Sequence, residues 1–246
     1  MIDLCRATRR NGDTAMIGYY NYTVLLTYIS LLSSATGILV ALSGGGHPYL
    51  GCFFLLISGL CDAFDGKVAR TKPGRSKQEN NYGIQIDSLS DLVAFGVLPV
   101  CIGMALLRSS SRFGHIIFQS DASAKFIVLS LIFGAIMLFY ILAAMIRLAY
   151  FNVTEEERQT IETGARKTYI GLPVTTSALI FPAILLLQYC APKDFCAVYF
   201  AVMLITAFAF LAKFRIAKPG MRGILGLVGI GALEFIAIII LEYFFR

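Results

Sequence analysis

LCDAFDGKVAR, residues Leu60–Arg70, and YGIQIDSLSDLVAFG, residues Tyr82–Gly96, set four aspartates at the ends of two apolar runs. Asp62 and Asp65 are three residues apart, and Asp87 and Asp91 are four apart. On helices, each pair shares one face. The run that ends in the first pair covers about Pro48–Asp65, and the run that opens with the second covers about Ile84–Leu107. Tyr49 to Cys61 is 13 residues, about 20 Å of helix, and Leu92 to Leu107 is 16 residues, about 24 Å. The two helices run in opposite directions, so both pairs are predicted at a similar depth, some way in from one face of a hydrocarbon core about 30 Å thick.

The rest of the chain supports a membrane setting. Of 246 residues, 57% are hydrophobic and 15% charged, and the mean hydropathy is +0.74. A soluble domain carries about 25% charged residues, so a soluble enzyme and a disordered tail are excluded. Further apolar runs cover about Ile17–Leu42, Phe126–Tyr150, Tyr169–Tyr189, Phe195–Leu211 and Gly223–Phe244. Seven membrane spans are predicted, all helical, because a lipid-facing backbone must satisfy its own hydrogen bonds. The fold class is therefore an all-α integral membrane bundle. Sixteen of the 21 Lys and Arg, counting Arg147 at the end of the fourth run, fall before the first run or after the second, fourth and sixth. That bias predicts a cytoplasmic N-terminus. Residues 1–16, with Arg6, Arg9 and Arg10, read as a cytoplasmic juxtamembrane segment with no signal peptide. The net charge of +6 then reflects topology and attraction to anionic lipid, with no call for nucleic acid. The six cysteines form no CxxC pair and read as packed thiols.

An aspartate at mid-membrane costs about 2.5–3.5 kcal/mol, and four facing one another require neutralisation. Carboxylates are hard oxygen ligands suited to Mg²⁺, Mn²⁺ or Ca²⁺, and two such ions would cancel all four charges. Gly66 leaves room for a ligand beside Asp65, and Lys67 and Arg70 would welcome a phosphate. The pattern fits a two-metal site for a phosphate ester. The bland alternative is a set of helix-end carboxylates paired with neighbouring Lys and Arg.

Asp62-x2-Asp65-Gly66-x2-Ala69-Arg70, followed by Gly83-x3-Asp87-x3-Asp91, resembles the motif of the CDP-alcohol phosphatidyltransferase family at every fixed position. The twelve-residue spacer between Arg70 and Gly83 is longer than is common in the family. IDSLSDLVAFGVLP (86–99), IRLAYFNV (146–153) and YIGLPVTTSA (169–178) resemble the family's membrane-embedded phosphatidylserine synthase branch in bacteria and archaea. The resemblance implies a six-helix core, here residues 17–213, commonly in a homodimer, with residues 214–246 adding a basic loop and one further helix. It implies transfer of a phosphatidyl group from CDP-diacylglycerol to an alcohol, with release of CMP, at a cytoplasm-facing site in the cell membrane. Asp62, Asp65, Asp87 and Asp91 would hold two divalent ions, Mg²⁺ or Mn²⁺, and Asp91 would act as general base. Gly66, Ala69 and Arg70 would line the cytidine-diphosphate site.

Arg147, at the end of the fourth run, fits the carboxylate of L-serine, with Asn152 nearby, or else is an anchor reaching for the interface. One arginine suits serine better than a phosphorylated acceptor such as glycerol 3-phosphate or inositol phosphate. Asn21, Thr23 and Thr27 either touch cytidine or bond to neighbouring helices. We assign Thr27 to CDP-diacylglycerol. Glu155–Glu157 read as a solvated face, His47 and His115 as loop residues, and Gly44–Gly46 as a turn. Glu234 lies inside the seventh run without an assigned role. Two other classes compete with an enzyme. An ion-coupled transporter would more often show internal repeats and broken midplane helices, and neither is visible. A membrane scaffold would not concentrate four aspartates in two helices.

Overall fold

A computed structural model describes residues 17–44, 46–110, 113–114, 124–161, 168–190, 195–217 and 221–245. Segment 1–16 lies outside them, as do Cys5, Gly45, His115, Arg166, Lys167 and Lys218.

A 3₁₀ turn at Tyr22–Val24 leads into α1, Leu25–Leu42. The side chain of Asn21 caps the turn by accepting the Thr23 N–H at 3.0 Å. The helix therefore starts later than the apolar run: Gly18, at φ +125°, and Asn21 set the chain into it. Helix α2, Pro48–Ala69, opens on a proline, whose missing N–H costs nothing in a first turn. α1 and α2 meet along a seam of small residues. A Cβ on Gly37 would lie 2.8 Å from the Phe54 Cβ. Ser33 Oγ donates to the Phe54 carbonyl at 3.0 Å and Ser58 Oγ to the Ser30 carbonyl at 3.1 Å. Close backbones and hydroxyl bonds replace the hydrophobic drive that lipid removes.

Helix α3, Lys77–Asp91, starts at a Ser76 cap. It continues through a π-helical segment, Leu92–Val97, into α4, Leu98–Ser109. The cause of the wide turn is in the sequence. Pro99 has no N–H to give the Phe95 carbonyl four residues back. Tyr140 Oη donates to that carbonyl at 2.8 Å, and Ser177 Oγ, which donates to the Val174 carbonyl, lies 3.4 Å from it. Helix α5 runs from Ala124 to Ile161, 38 residues or about 57 Å, well beyond one bilayer core. Strand β1, Thr168–Ile170, a 3₁₀ turn at Val174–Thr176 and α6, Ser177–Cys190, follow. Helix α7, Cys196–Leu211, strand β2, Arg215–Ala217, and α8, Met221–Phe245, complete the chain. β1 and β2 pair antiparallel with Tyr169 opposite Ile216.

The β-pair corrects the expectation of a helix from Tyr169. Gly171 sits at φ +75°, and Pro173 holds Leu172 extended, so helix cannot begin before this turn has passed. Among the described residues, five helical runs are long and apolar enough to cross a membrane: Tyr22–Leu42, Pro48–Ala69, Lys77–Ser109, Ile127–Arg158 and Gly223–Ile240. Val174–Gln188 and Cys196–Leu211 are apolar but shorter. The interior is packed by Tyr140, Tyr199, Phe95, Phe181, Phe200 and Phe210. The outside is apolar as well, with Leu39 73%, Leu138 71% and Leu233 69% exposed, a surface suited to lipid. Cys52, Cys61 and Cys101 are free thiols, and Cys52, Cys61 and Cys196 are buried.

Candidate functional site

The two acid-bearing helices are joined by residues 70–76, and carboxylates from both come together. One oxygen each from Asp62, Asp87 and Asp91 lies within 4.8 Å of the other two. Asp65 completes the group: its carboxyl is within hydrogen-bonding reach of Asp87 and accepts from Thr27 Oγ1 of α1 at 3.5 Å. Asp65 and Asp91 are buried and Asp62 and Asp87 half-buried. Neither ion pair among the described residues, Lys72–Glu79 or Glu155–Arg158, involves any of the four. The bland expectation of aspartates paired with adjacent Lys and Arg is therefore not what these residues form, although Arg70 lies close enough to Asp65 to attract it. A donor set of hard oxygens, clustered and, among the described residues, in no ion pair, fits divalent ions.

A layer of neutral hydrogen bonds holds the carboxylates in place. Ser90 Oγ donates to the Thr27 carbonyl at 3.3 Å, tying α3 to α1. Asn152 Nδ2 of α5 donates to Ser88 Oγ, next to Asp87, at 2.7 Å. The π-helical turn begins directly after Asp91 and is braced by Tyr140 through the Phe95 carbonyl, with Ser177 Oγ beside it. Ser90, Tyr140 and Ser177 hold no fixed position in any motif that the sequence shows. Pro99 was a usable signal, since it predicts an orphaned carbonyl at Phe95.

Other expected residues have mixed positions. A Cβ built on Gly66 would lie 3.5 Å from the Arg70 guanidinium, so the space beside this glycine is bordered by a cation. The Ala69 carbonyl accepts from Arg75 Nη1 at 3.3 Å. Asn21 and Thr23 bond to one another, and Asn21 Nδ2 donates to Glu79 Oε1 at 2.7 Å. These two serve the helix start and α3. Arg147 is 6% exposed, so it is no interfacial anchor. Its Nε donates to the Leu172 carbonyl at 3.1 Å, and its guanidinium lies over the Phe151 ring. Arg147 lines a cleft of about 170 Å³ together with Tyr150, Ile170, Phe210, Ala212 and Lys213, and none of the four aspartates is among its walls. Glu234 is half-buried in α8, with Oε2 buried and, among the described residues, lacking a hydrogen-bond partner.

A model of the CDP-alcohol phosphatidyltransferase family matches residues 20–213. Over 175 residues the chain is 31% identical to the CDP-diacylglycerol–serine O-phosphatidyltransferase of Saccharomyces cerevisiae, an alignment covering 68% of this chain and 54% of that protein. It is 31% identical over 160 residues to the archaetidylserine synthase of Methanothermobacter thermautotrophicus, covering 65% and 56%. It is 33% identical over 139 residues to the CDP-diacylglycerol–serine O-phosphatidyltransferase of Helicobacter pylori, covering 56% and 47%. The chain thus spans about half the length of the curated relatives it matches.

Proposed function

The chain belongs to the CDP-alcohol phosphatidyltransferase family, and from that premise we propose that it transfers the phosphatidyl group of CDP-diacylglycerol to the hydroxyl of L-serine, giving phosphatidylserine and CMP. The convergence of Asp62, Asp87 and Asp91 within 4.8 Å, with Asp65 beside them, carries the reading. Two divalent cations on these carboxylates, Mg²⁺ or Mn²⁺, would supply charge neutralisation for the diphosphate and the departing CMP.

The chain's own residues do the rest. Gly66, Ala69 and Arg70 border the cytidine-diphosphate end of the donor, with Arg70 offering charge-assisted hydrogen bonds. Thr27 supports that end through Asp65. Asp91, buried and held by the helix that leads into the braced π-turn, accepts the proton of the serine hydroxyl. The hydroxyl oxygen forms a bond to the lipid-bearing phosphorus as the bond from that phosphorus to the CMP oxygen breaks. No enzyme nucleophile intervenes, so configuration at phosphorus inverts. Arg147 receives the serine carboxylate, and Asn152 steadies the acceptor side through Ser88.

The serine-specific names of the relatives support this acceptor over a phosphorylated one. The lysine and arginine bias supports a cytoplasm-facing site in the cell membrane, with seven spans and an N-terminus inside. In this reading residues 17–213 are the catalytic unit, residues 214–246 add a helix, and two copies work as a homodimer. The test gives the purified chain CDP-diacylglycerol with L-serine, glycerol 3-phosphate or inositol 1-phosphate in parallel and follows CMP. Serine-dependent release with phosphatidylserine as product is expected. Preference for a phosphorylated alcohol would overturn the acceptor and leave the reaction class. No CMP with any of the three, alongside metal-coupled solute uptake, would favour a transporter.

A further inference from the structure

Glu79 is a buried acid outside the four-aspartate constellation, 8% exposed. Along α3, Glu79, Gly83, Asp87 and Asp91 recur every four residues and so lie along one side of the helix. Glu79 Oε1 accepts from Lys72 Nζ at 2.6 Å and from Asn21 Nδ2 at 2.7 Å. Its N–H donates to the Ser76 cap at 3.0 Å. Arg75 adds a second tie. Its Nη1 donates to the Ala69 carbonyl at the end of α2, and its Nη2 donates to the Glu79 carbonyl at 3.5 Å. Its guanidinium also lies against Gly83, where a Cβ would come within 2.8 Å of Nη2. The approach to α1, the exit of α2 and the first turns of α3 are thus fastened at one place.

We propose that Glu79 and Arg75 are positioning residues, a clasp in the long spacer that fixes the rotation and axial register of α3 against α2 and so the spacing of Asp87 and Asp91 from Asp62 and Asp65. The proposal rests on the reading of those carboxylates as divalent-cation ligands. Glu79 lies eight residues before Asp87, about 12 Å along a stiff helix, so a shift at the clasp is carried to the ligands. Four carboxylates repel one another before any cation arrives, and the seven-residue connection 70–76 left loose would hold them poorly. The clasp supplies the constraint where the spacer is longest.

The experiment uses the full chain in nanodiscs and reads Mn²⁺ binding directly, by loss of the free-ion electron paramagnetic resonance signal, alongside CMP release. Glu79→Ala and Arg75→Ala should each weaken Mn²⁺ binding about tenfold, the scale of lost support behind a metal ligand. At saturating Mn²⁺ the KM for serine should stay unchanged. Glu79→Lys should bind as poorly, and adding Lys72→Glu should recover much of the loss by restoring the pair with its charges exchanged. Should Glu79→Ala fail to accumulate, Glu79→Gln, which keeps the Asn21 contact and drops the ion pair, carries the same expectation at smaller size. Wild-type Mn²⁺ affinity in the variants, or a loss of turnover with affinity intact and no recovery in the exchanged pair, overturns the clasp alone. A wild-type chain that binds no Mn²⁺ overturns the clasp together with the metal reading.

Discussion

Two polar regions of the molecule are built in opposite ways. On α2 and α3 the chemistry-bearing groups come from one stretch, Asp62 to Asp91, and helix periodicity alone puts each pair on one face. Around Arg147 the walls come from α5, β1, the end of α7 and the residues after it, spread from Ile146 to Lys213. The first region gathers like charges that need an outside partner. The second buries a cation against a backbone carbonyl and an aromatic ring, in a lining that is mostly apolar. A motif can be compact in sequence when the residues share a helix pair. A pocket assembled from distant elements leaves only scattered single residues to read.

If the acid region is the catalytic centre, Asp62→Ala, Asp65→Ala, Asp87→Ala and Asp91→Ala should each cost more CMP release than the roughly 10–100-fold typical of losing a supporting partner. EDTA should abolish wild-type turnover, and Mg²⁺ or Mn²⁺ should restore it. Near-normal turnover in any two of the four variants, with unchanged metal dependence, would break this side of the comparison.

The arginine region is sharpened by Arg147→Ala. A charge-assisted bond is worth about 1.5–3 kcal/mol, so the serine KM should rise roughly 10–100-fold while that of CDP-diacylglycerol holds. Equal increases in both constants would make Arg147 a brace for the Leu172 turn and remove it from acceptor recognition.

Asn152→Ala probes the link between the regions, because it frees Ser88 beside Asp87. Turnover should fall about tenfold, the lower end for a supporting hydrogen bond, with serine KM little changed. A pure KM effect would place Asn152 on the acceptor itself.

The smallest expected effect is that of Tyr140→Phe, which removes the hydroxyl that donates to the Phe95 carbonyl. Stability should drop by about 1 kcal/mol, read as a melting temperature about 2–4 °C lower in detergent. No shift would mean that the π-turn after Asp91 stands without this brace.

Much of the molecule was legible beforehand for specific reasons. The runs 48–65, 195–211 and 223–244 became α2, α7 and α8 with small changes at their ends, because long apolar segments leave the backbone few options in lipid. The run at Tyr169 failed because its first residues form a strand and a glycine–proline turn, and hydropathy does not register backbone angles. Thr27 was assigned to the donor and lies on Asp65. A hydroxyl in an apolar run signals a hydrogen bond without naming the partner.

The sequence by itself determined that this is a helical membrane protein with four carboxylates in two pairs, each on one helix face, since composition and the spacings of three and four residues act through local geometry. It also contained Pro99 and the Ser76–Glu79 cap pattern, whose effects follow from a missing N–H and from orphaned helix-end donors. Only the tertiary structure decided that Lys72 and Asn21 meet at Glu79, that Arg75 lies across Gly83, and that Arg147 is buried beneath a turn 25 residues further along the chain. Those meetings depend on how helices cross and loops return, which is set by the packing of surfaces far apart in the chain.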